Sequence, residues 1–365
     1  MFYMEAMTGP IRDAKIKARG ALSNDVSRFD AYTREVFDDG WHVPDDDVPP
    51  LKTEVRTEQA KSLINYVASP DLPFDRSINP YRGCEHGCVY CFARPTHAYL
   101  GLSPGLDFET KLIARTNAVE VLRRELAKPS YKVAPIAIGT NTDPYQPLEK
   151  TYRIMRGCLE LLQETQHPVA IVTKGSLIER DLDILADMAR KGLMRVGVSV
   201  TTLDADLSRR LEPRAPTPKR RLAMIERLSA AGVPVRVMAS PLIPSLTDPE
   251  LEAILAAGKS AGARSASYIM LRLPREVSPL VREWLAEHAP DRAKRVMARV
   301  RDMHGGQDYD ARWNHRMRGE GAYADIIAHR FAVAVKRLGL KTKSPAMRSD
   351  MFRASVLPNA QLSLF

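Results

Sequence analysis

Six short apolar runs recur between residues 77 and 274, and five of the intervals between them hold an amphipathic stretch. The runs are SINPYRG (77–83), VAPIAIGTNT (133–142), PVAIVTKG (168–175), MRVGVSVTT (194–202), VPVRVMASPLIP (233–244) and ARSASYIMLRLP (263–274). Between them lie NAVEVLRRELAK, RIMRGCLELLQET, RDLDILADMARKG, PKRRLAMIERLSAAG and DPELEAILAAGKSAG, which repeat apolar residues at helical spacing. Such strands, apolar on both faces and separated by helices, predict a parallel sheet with helices over its outer face. Six units are too few to close a full barrel. The fold class expected is α/β: a partial (β/α)6 TIM-like barrel over residues 76–275. An extended amino-terminal arm (1–75), with one or two short helices, should wrap it. A basic helical extension (276–365) should follow. Functional groups should collect at the carboxy-terminal ends of the strands.

Three of the four cysteines fall just after the first strand, in RGCEHGCVYCF. Cys84, Cys88 and Cys91 have C-x3-C-x2-C spacing, and Cys158 stands alone in a helical stretch. Four cysteines in 365 residues, three of them clustered, suit a metal centre in a reducing compartment rather than a disulfide framework. A zinc site would need a fourth ligand from His86, His97 or Cys158. Soft thiolates equally suit an iron–sulfur cluster. No run is apolar and long enough to span a membrane. The first residues lack a basic segment followed by an apolar one. The expected location is the cytoplasm, with no membrane partner.

The cysteine loop, its place after the first strand and the following βα array resemble the radical S-adenosylmethionine (SAM) superfamily. SINPYRGCEHGCVYC, GTNTDPYQPLE, IVTKG, LEPRAPTPKRRL and SPLIPSLTD are similar to a bacterial branch related to spore photoproduct lyase, the DNA repair photolyase-like proteins. The resemblance spans roughly residues 10–355. It implies that Cys84, Cys88 and Cys91 ligate a [4Fe–4S] cluster, and that SAM occupies the remaining iron. It further implies that Tyr90 lies near the adenine, that Thr140, Asn141, Thr142 and Asp143 receive the methionyl amino group, that Lys174 pairs with the SAM carboxylate and that Ser199 reaches the ribose. Glu212, Arg214 and Arg221 form either a polar network beside SAM or a helix-start salt-bridge cluster. An external one-electron donor such as flavodoxin or ferredoxin is implied.

Two departures concern the end of the reaction. Where photoproduct lyases carry a hydrogen-donating cysteine near the end of the second strand, this chain has Thr140. Where they carry a second tyrosine after the last cluster cysteine, it has Phe92. Cys158 is the remaining candidate hydrogen donor, against the simpler reading of a small core residue. Residues 1–75 hold 9 Lys and Arg against 14 Asp and Glu, whereas the remainder holds 45 against 30. A basic body suits DNA or RNA, and Arg312, Trp313, Arg316, Arg318 and Tyr323 form the candidate contact strip. The activity expected is SAM cleavage to a 5′-deoxyadenosyl radical that abstracts hydrogen from nucleic acid, in base repair or modification. The alternatives are a small-molecule or peptide substrate, and a non-catalytic iron–sulfur sensor of nucleic acid.

Overall fold

A computed structural model describes residues 18–30 and 51–354. The acidic, proline-rich stretch DDGWHVPDDDVPP (38–50) lies outside the described residues.

Ten strands are present among the described residues: β1 (Glu54–Glu58), β2 (Ile64–Tyr66), β3 (Arg76–Ile78), β4 (Tyr81–Arg82), β5 (Lys111–Arg115), β6 (Ile136–Ile138), β7 (Val169–Thr173), β8 (Met194–Ser199), β9 (Val235–Leu242) and β10 (Ser265–Met270). The large sheet has the order β10-β9-β8-β7-β6-β3-β2. Its six strands from β3 to β10 are parallel, and they are the six expected from the sequence. The sheet stays open, with β2 antiparallel at one edge and β10 at the other. This is a mixed α/β architecture of the partial-barrel kind.

The core follows from the apolar pattern. Val169 and Ile171 on β7, Val196 and Val198 on β8, and Val235 and Val237 on β9 are buried. The helices Ile154–Glu164, Leu182–Arg190, Pro218–Ala230 and Leu251–Ser260 turn Leu159, Leu185, Met224 and Ile254 onto them. Helix polar faces are left to solvent, as their spacing requires.

The described part of the arm contains the strands β1 and β2. β1 lies parallel to β5, and β5 lies antiparallel to β4, so a small sheet of order β1-β5-β4 flanks the large one. EVRTE has a polar, largely exposed pattern, so apolar spacing gave no signal for β1. The edge at β10 is covered by later chain: Ala266 N donates to Lys341 O (2.9 Å) and Met270 N to Met317 O (2.9 Å). Covering an edge in this way removes its unpaired backbone groups from water. Helices Val277–His288 and Pro290–Asp302 pack Val277, Leu280, Trp284 and Val300 against a second core shared with Val89 and Tyr90 of the cysteine loop. No helix among the described residues is long and apolar enough to cross a membrane.

Candidate functional site

The strand ends enclose a cavity of about 180 Å³, open to solvent on one side. Cys84, Cys88, Cys91 and Tyr90 form one wall of it, and Thr140, Asn141, Thr142 and Asp143 follow β6. Lys174 follows β7 and Ser199 ends β8. Every residue that the resemblance assigned to cluster or SAM therefore faces one space. The fifth and sixth strands add residues that the sequence reading did not name: Met238, Ser240 and Pro241 on β9, then Met270 and Arg272 at the end of β10.

The three cysteines are free thiols, with Cys84 and Cys88 buried. Burial pushes the Cys88 thiol up to about 12 and raises Cys84 and Cys91 as well. Such thiols keep their protons until a soft metal displaces them. Three thiols lining one cavity suit a multi-atom cluster with thiolate corners.

A set of buried polar groups shapes the cysteine loop. Arg94, fully buried, donates from Nε to Cys88 O (3.0 Å) and from Nη1 to Gly105 O (2.8 Å), and pairs with the buried Glu109. Glu109 also accepts from Gly20 N (2.9 Å) and Ala21 N (2.8 Å). Gly20 is required there, because a Cβ would lie 1.7 Å from Gly87 O inside the cysteine loop. On the other side Gln146 donates to Gly83 O (3.1 Å) and accepts from Glu85 N (2.9 Å). Arg94, Glu109 and Gln146 went unnoticed in the sequence reading. Their partners lie 6 to 89 residues away in sequence, which leaves no periodic signal.

Beside the cavity, and joined to its lining through Tyr90 and Lys174, lies a charged network around Glu212. It accepts from Tyr90, Arg221 and Thr201, the last at 2.8 Å, and Lys174 Nζ stands 3.8 Å away. Burial alone would raise the Glu212 carboxyl, but Arg221 and Lys174 hold it down at about 2. Arg221 Nη1 also donates to Ser199 O (3.1 Å). Lys174 Nζ lies 5.6 Å from the Tyr90 ring centroid. Glu212 and Arg221 form a buried ion pair at the start of the helix Pro218–Ala230, in contact with the cavity residues Tyr90 and Lys174. Arg214 instead pairs with Glu85 of the cysteine loop at 3.1 Å.

Asp143 organises the adjoining strand ends. It accepts from Thr173 Oγ1 (2.6 Å), Lys174 N (2.7 Å) and Tyr145 N (2.9 Å), with His86 Nδ1 at 3.4 Å. Against the upward push of burial, His86 and these donors keep its carboxyl at about 2. Just before it, Gly139 has φ of 86°, and an added Cβ would stand 1.9 Å from Val172 O. Gly139→Ala should therefore cost about 2 kcal/mol or more, measured by urea denaturation, because both the left-handed backbone and the approach to β7 exclude a methyl group.

Two expectations need correction. Cys158 is fully buried among apolar residues of the main core and is not in the cavity wall, so its place is that of a small core side chain rather than of a hydrogen donor to a substrate there. The strip from 312 to 323 is not one contact surface. Arg316 is engaged with Asp71 (2.6 Å), Tyr323 donates to Asp248 (2.8 Å), and Arg318 lies 4.1 Å from the Tyr268 ring centroid. Arg312 is exposed but paired with Asp310 and Glu320, which leaves Trp313 as its open aromatic face. His97 is buried against Phe108, with Nε2 2.9 Å from Lys111 O, and Tyr99 is exposed.

Comparison with known proteins gives the following. Residues 78–257 match the family model of the radical SAM superfamily. An uncharacterized protein of Mycobacterium tuberculosis (strain ATCC 25618 / H37Rv) is 42% identical over 247 residues, 67% of this chain and 72% of that protein. One from Methanocaldococcus jannaschii is 25% identical over 199 residues, 54% of this chain and 71% of that protein. Among solved structures, spore photoproduct lyase complexed with dinucleoside spore photoproduct superposes with a TM-score of 0.57 at 12% identity, over 79% of this chain and 81% of that one. A mutant of that lyase with bound AdoMet and dinucleoside spore photoproduct gives 0.54 at 12% identity, over 81% and 87%. At such identities the likeness is one of fold.

Proposed function

The chain belongs to the radical SAM superfamily, whose members use a [4Fe–4S] cluster and S-adenosylmethionine, and from that premise we propose that it is a hydrogen-abstracting enzyme whose substrate is nucleic acid. The observation that carries the reading is the single cavity in which three thiols, a lysine and four polar strand ends meet. When bound there, the cluster and SAM supply one-electron cleavage of the C5′–S bond and so a 5′-deoxyadenosyl radical.

The residues have separable tasks in this proposal. Cys84, Cys88 and Cys91 hold three corners of the cluster. Lys174, held beside Glu212, offers a positive charge to the SAM carboxylate. Asp143, an ionised carboxylate, with Thr140, Asn141 and Thr142 offers acceptors to the amino group. Tyr90 and Ser199 flank the nucleoside portion. Residues 19–21 and the helices Val277–His288 and Pro290–Asp302 cover the loop and exclude water from it. An external donor such as flavodoxin or ferredoxin provides the electron, and the cytoplasm is the compartment that suits the free thiols.

Nucleic acid as substrate draws on the basic body beyond residue 75 and on the fold shared with a lyase solved with a dinucleoside photoproduct. With Thr140 and Phe92 where that lyase type has cysteine and tyrosine, the terminal hydrogen transfer differs. A test is the anaerobic, reduced holoenzyme with SAM, read as 5′-deoxyadenosine by mass spectrometry. Formation of this product is expected, and it should rise when single-stranded DNA or RNA is added. Deuterium from labelled nucleic acid should appear in it. No product at all removes the radical reading, and a yield indifferent to both DNA and RNA removes the substrate class.

A further inference from the structure

We propose that Arg272 is the clasp for a phosphodiester of the bound strand, at the end of the cavity away from Lys174; this rests on the nucleic-acid reading above and specifies which group of the substrate is held.

Arg272 follows β10 and lines the cavity. Its guanidinium carbon lies 4.6 Å from the centroid of the Phe92 ring. Stacking of this kind fixes the plane of the guanidinium and leaves its N–H edge free for an acceptor. The hydrogen bond it makes runs from Nη2 to Tyr309 Oη, at 3.4 Å, while Nε is buried without a partner. Among the described residues no carboxylate pairs with it. The acidic residues beside Tyr309 are committed elsewhere: Asp308 to Arg282 and Arg301, and Asp310 to Arg312. A half-buried guanidinium without a carboxylate partner suits an anion, and its fork fits two oxygens of a phosphate.

Lys174 follows β7 and Arg272 follows β10, with β8 and β9 between them. Three strand spacings set their backbones roughly 14 Å apart. With Lys174 taking the SAM carboxylate in the reading above, the anion at Arg272 arrives with the substrate. A second observation favours a strand of nucleotides over an acidic peptide. Met317 O accepts from Met270 N, which docks the loop carrying Trp313 next to the end of β10. Trp313 is 55% exposed. A phosphate at Arg272 and a base stacked on that indole are what a single strand would present to such a surface.

The experiment is fluorescence anisotropy of labelled hexathymidylate and of its uncharged methylphosphonate analogue, with anaerobic holoenzyme. Arg272→Gln should weaken hexathymidylate binding roughly 10- to 100-fold and lower the salt slope by about 1. It should not change the weaker binding of the methylphosphonate. Arg272→Lys, with charge but no fork, should recover part of the loss. Tyr309→Phe, which removes the partner without altering the cavity wall, should lose less than Arg272→Gln. Equal losses on both probes, or none, overturn the clasp while leaving the nucleic-acid reading in place. Wild-type protein that binds neither probe overturns both. A drop in SAM affinity of Arg272→Gln, by equilibrium dialysis without nucleic acid, reassigns the residue to the cofactor and overturns the clasp. Preference of the wild type for a poly-glutamate peptide over hexathymidylate does so as well.

Discussion

Cys88→Ala should leave a folded, colourless protein that forms no 5′-deoxyadenosine above background, whereas Cys158→Ala should keep both its iron and its product. The contrast separates ligation from general thiol loss. Cys88 projects into the cavity from a loop fixed by its own neighbours: Arg94 holds its carbonyl, and Val89 N donates to Leu211 O at 3.1 Å. Removing one sulfur there takes away one of the three proposed ligands and leaves the backbone scaffold in place. Cys158 instead sits in the apolar core, where its loss removes one small group from packing. Iron analysis and the cluster's visible absorption measure the first effect, and mass spectrometry the second. Full iron content in Cys88→Ala would overturn the ligand assignment.

The second large effect is expected at Glu212. Glu212→Gln should destabilise the fold by about 3–5 kcal/mol, the usual result of removing one partner from a buried ion pair. Glu212 and Arg221 are each about 1% exposed, so water cannot replace the lost charge. Arg221 would keep hydrogen bonds to Pro216 O and Ser199 O but face no anion. Lys174 would lose its balancing carboxylate at 3.8 Å. Denaturation in urea gives the stability, and equilibrium dialysis gives SAM affinity, which should fall too. A variant as stable as wild type would mean that the network is solvated rather than sealed.

The six parallel strands and the cysteine loop were legible because each is local. Apolar runs such as PVAIVTKG carry their own signal, and C-x3-C-x2-C is a spacing within eight residues. The family resemblance, not the strand pattern, pointed to Thr140, Lys174 and Ser199. Ser240 on the fifth parallel strand and Arg272 after the sixth share their cavity and carried no such pointer. What the sequence hid is long-range and polar. The pairing of β1 with β5 joins two segments more than fifty residues apart without an apolar pattern on β1. The expected contact strip failed for a related reason: exposure is set by tertiary partners, and Asp71 claims Arg316 across 245 residues. A cluster of Arg and aromatic residues reads alike whether it faces solvent or its own chain.

Terminal segments are ordinarily the part of a protein most tolerant of trimming, but tolerance follows burial and hydrogen bonding rather than position. Residues 19–21 put this chain outside the ordinary case. A deletion reaching them would strip Glu109 of two backbone donors and remove the Arg19 bonds to Glu109 O and Leu51 O. It would also uncover the cysteine loop where Gly20 touches Gly87. Shortening this chain past Arg19 is thus an edit to the support of the cysteine loop, a boundary that sequence position alone would not reveal.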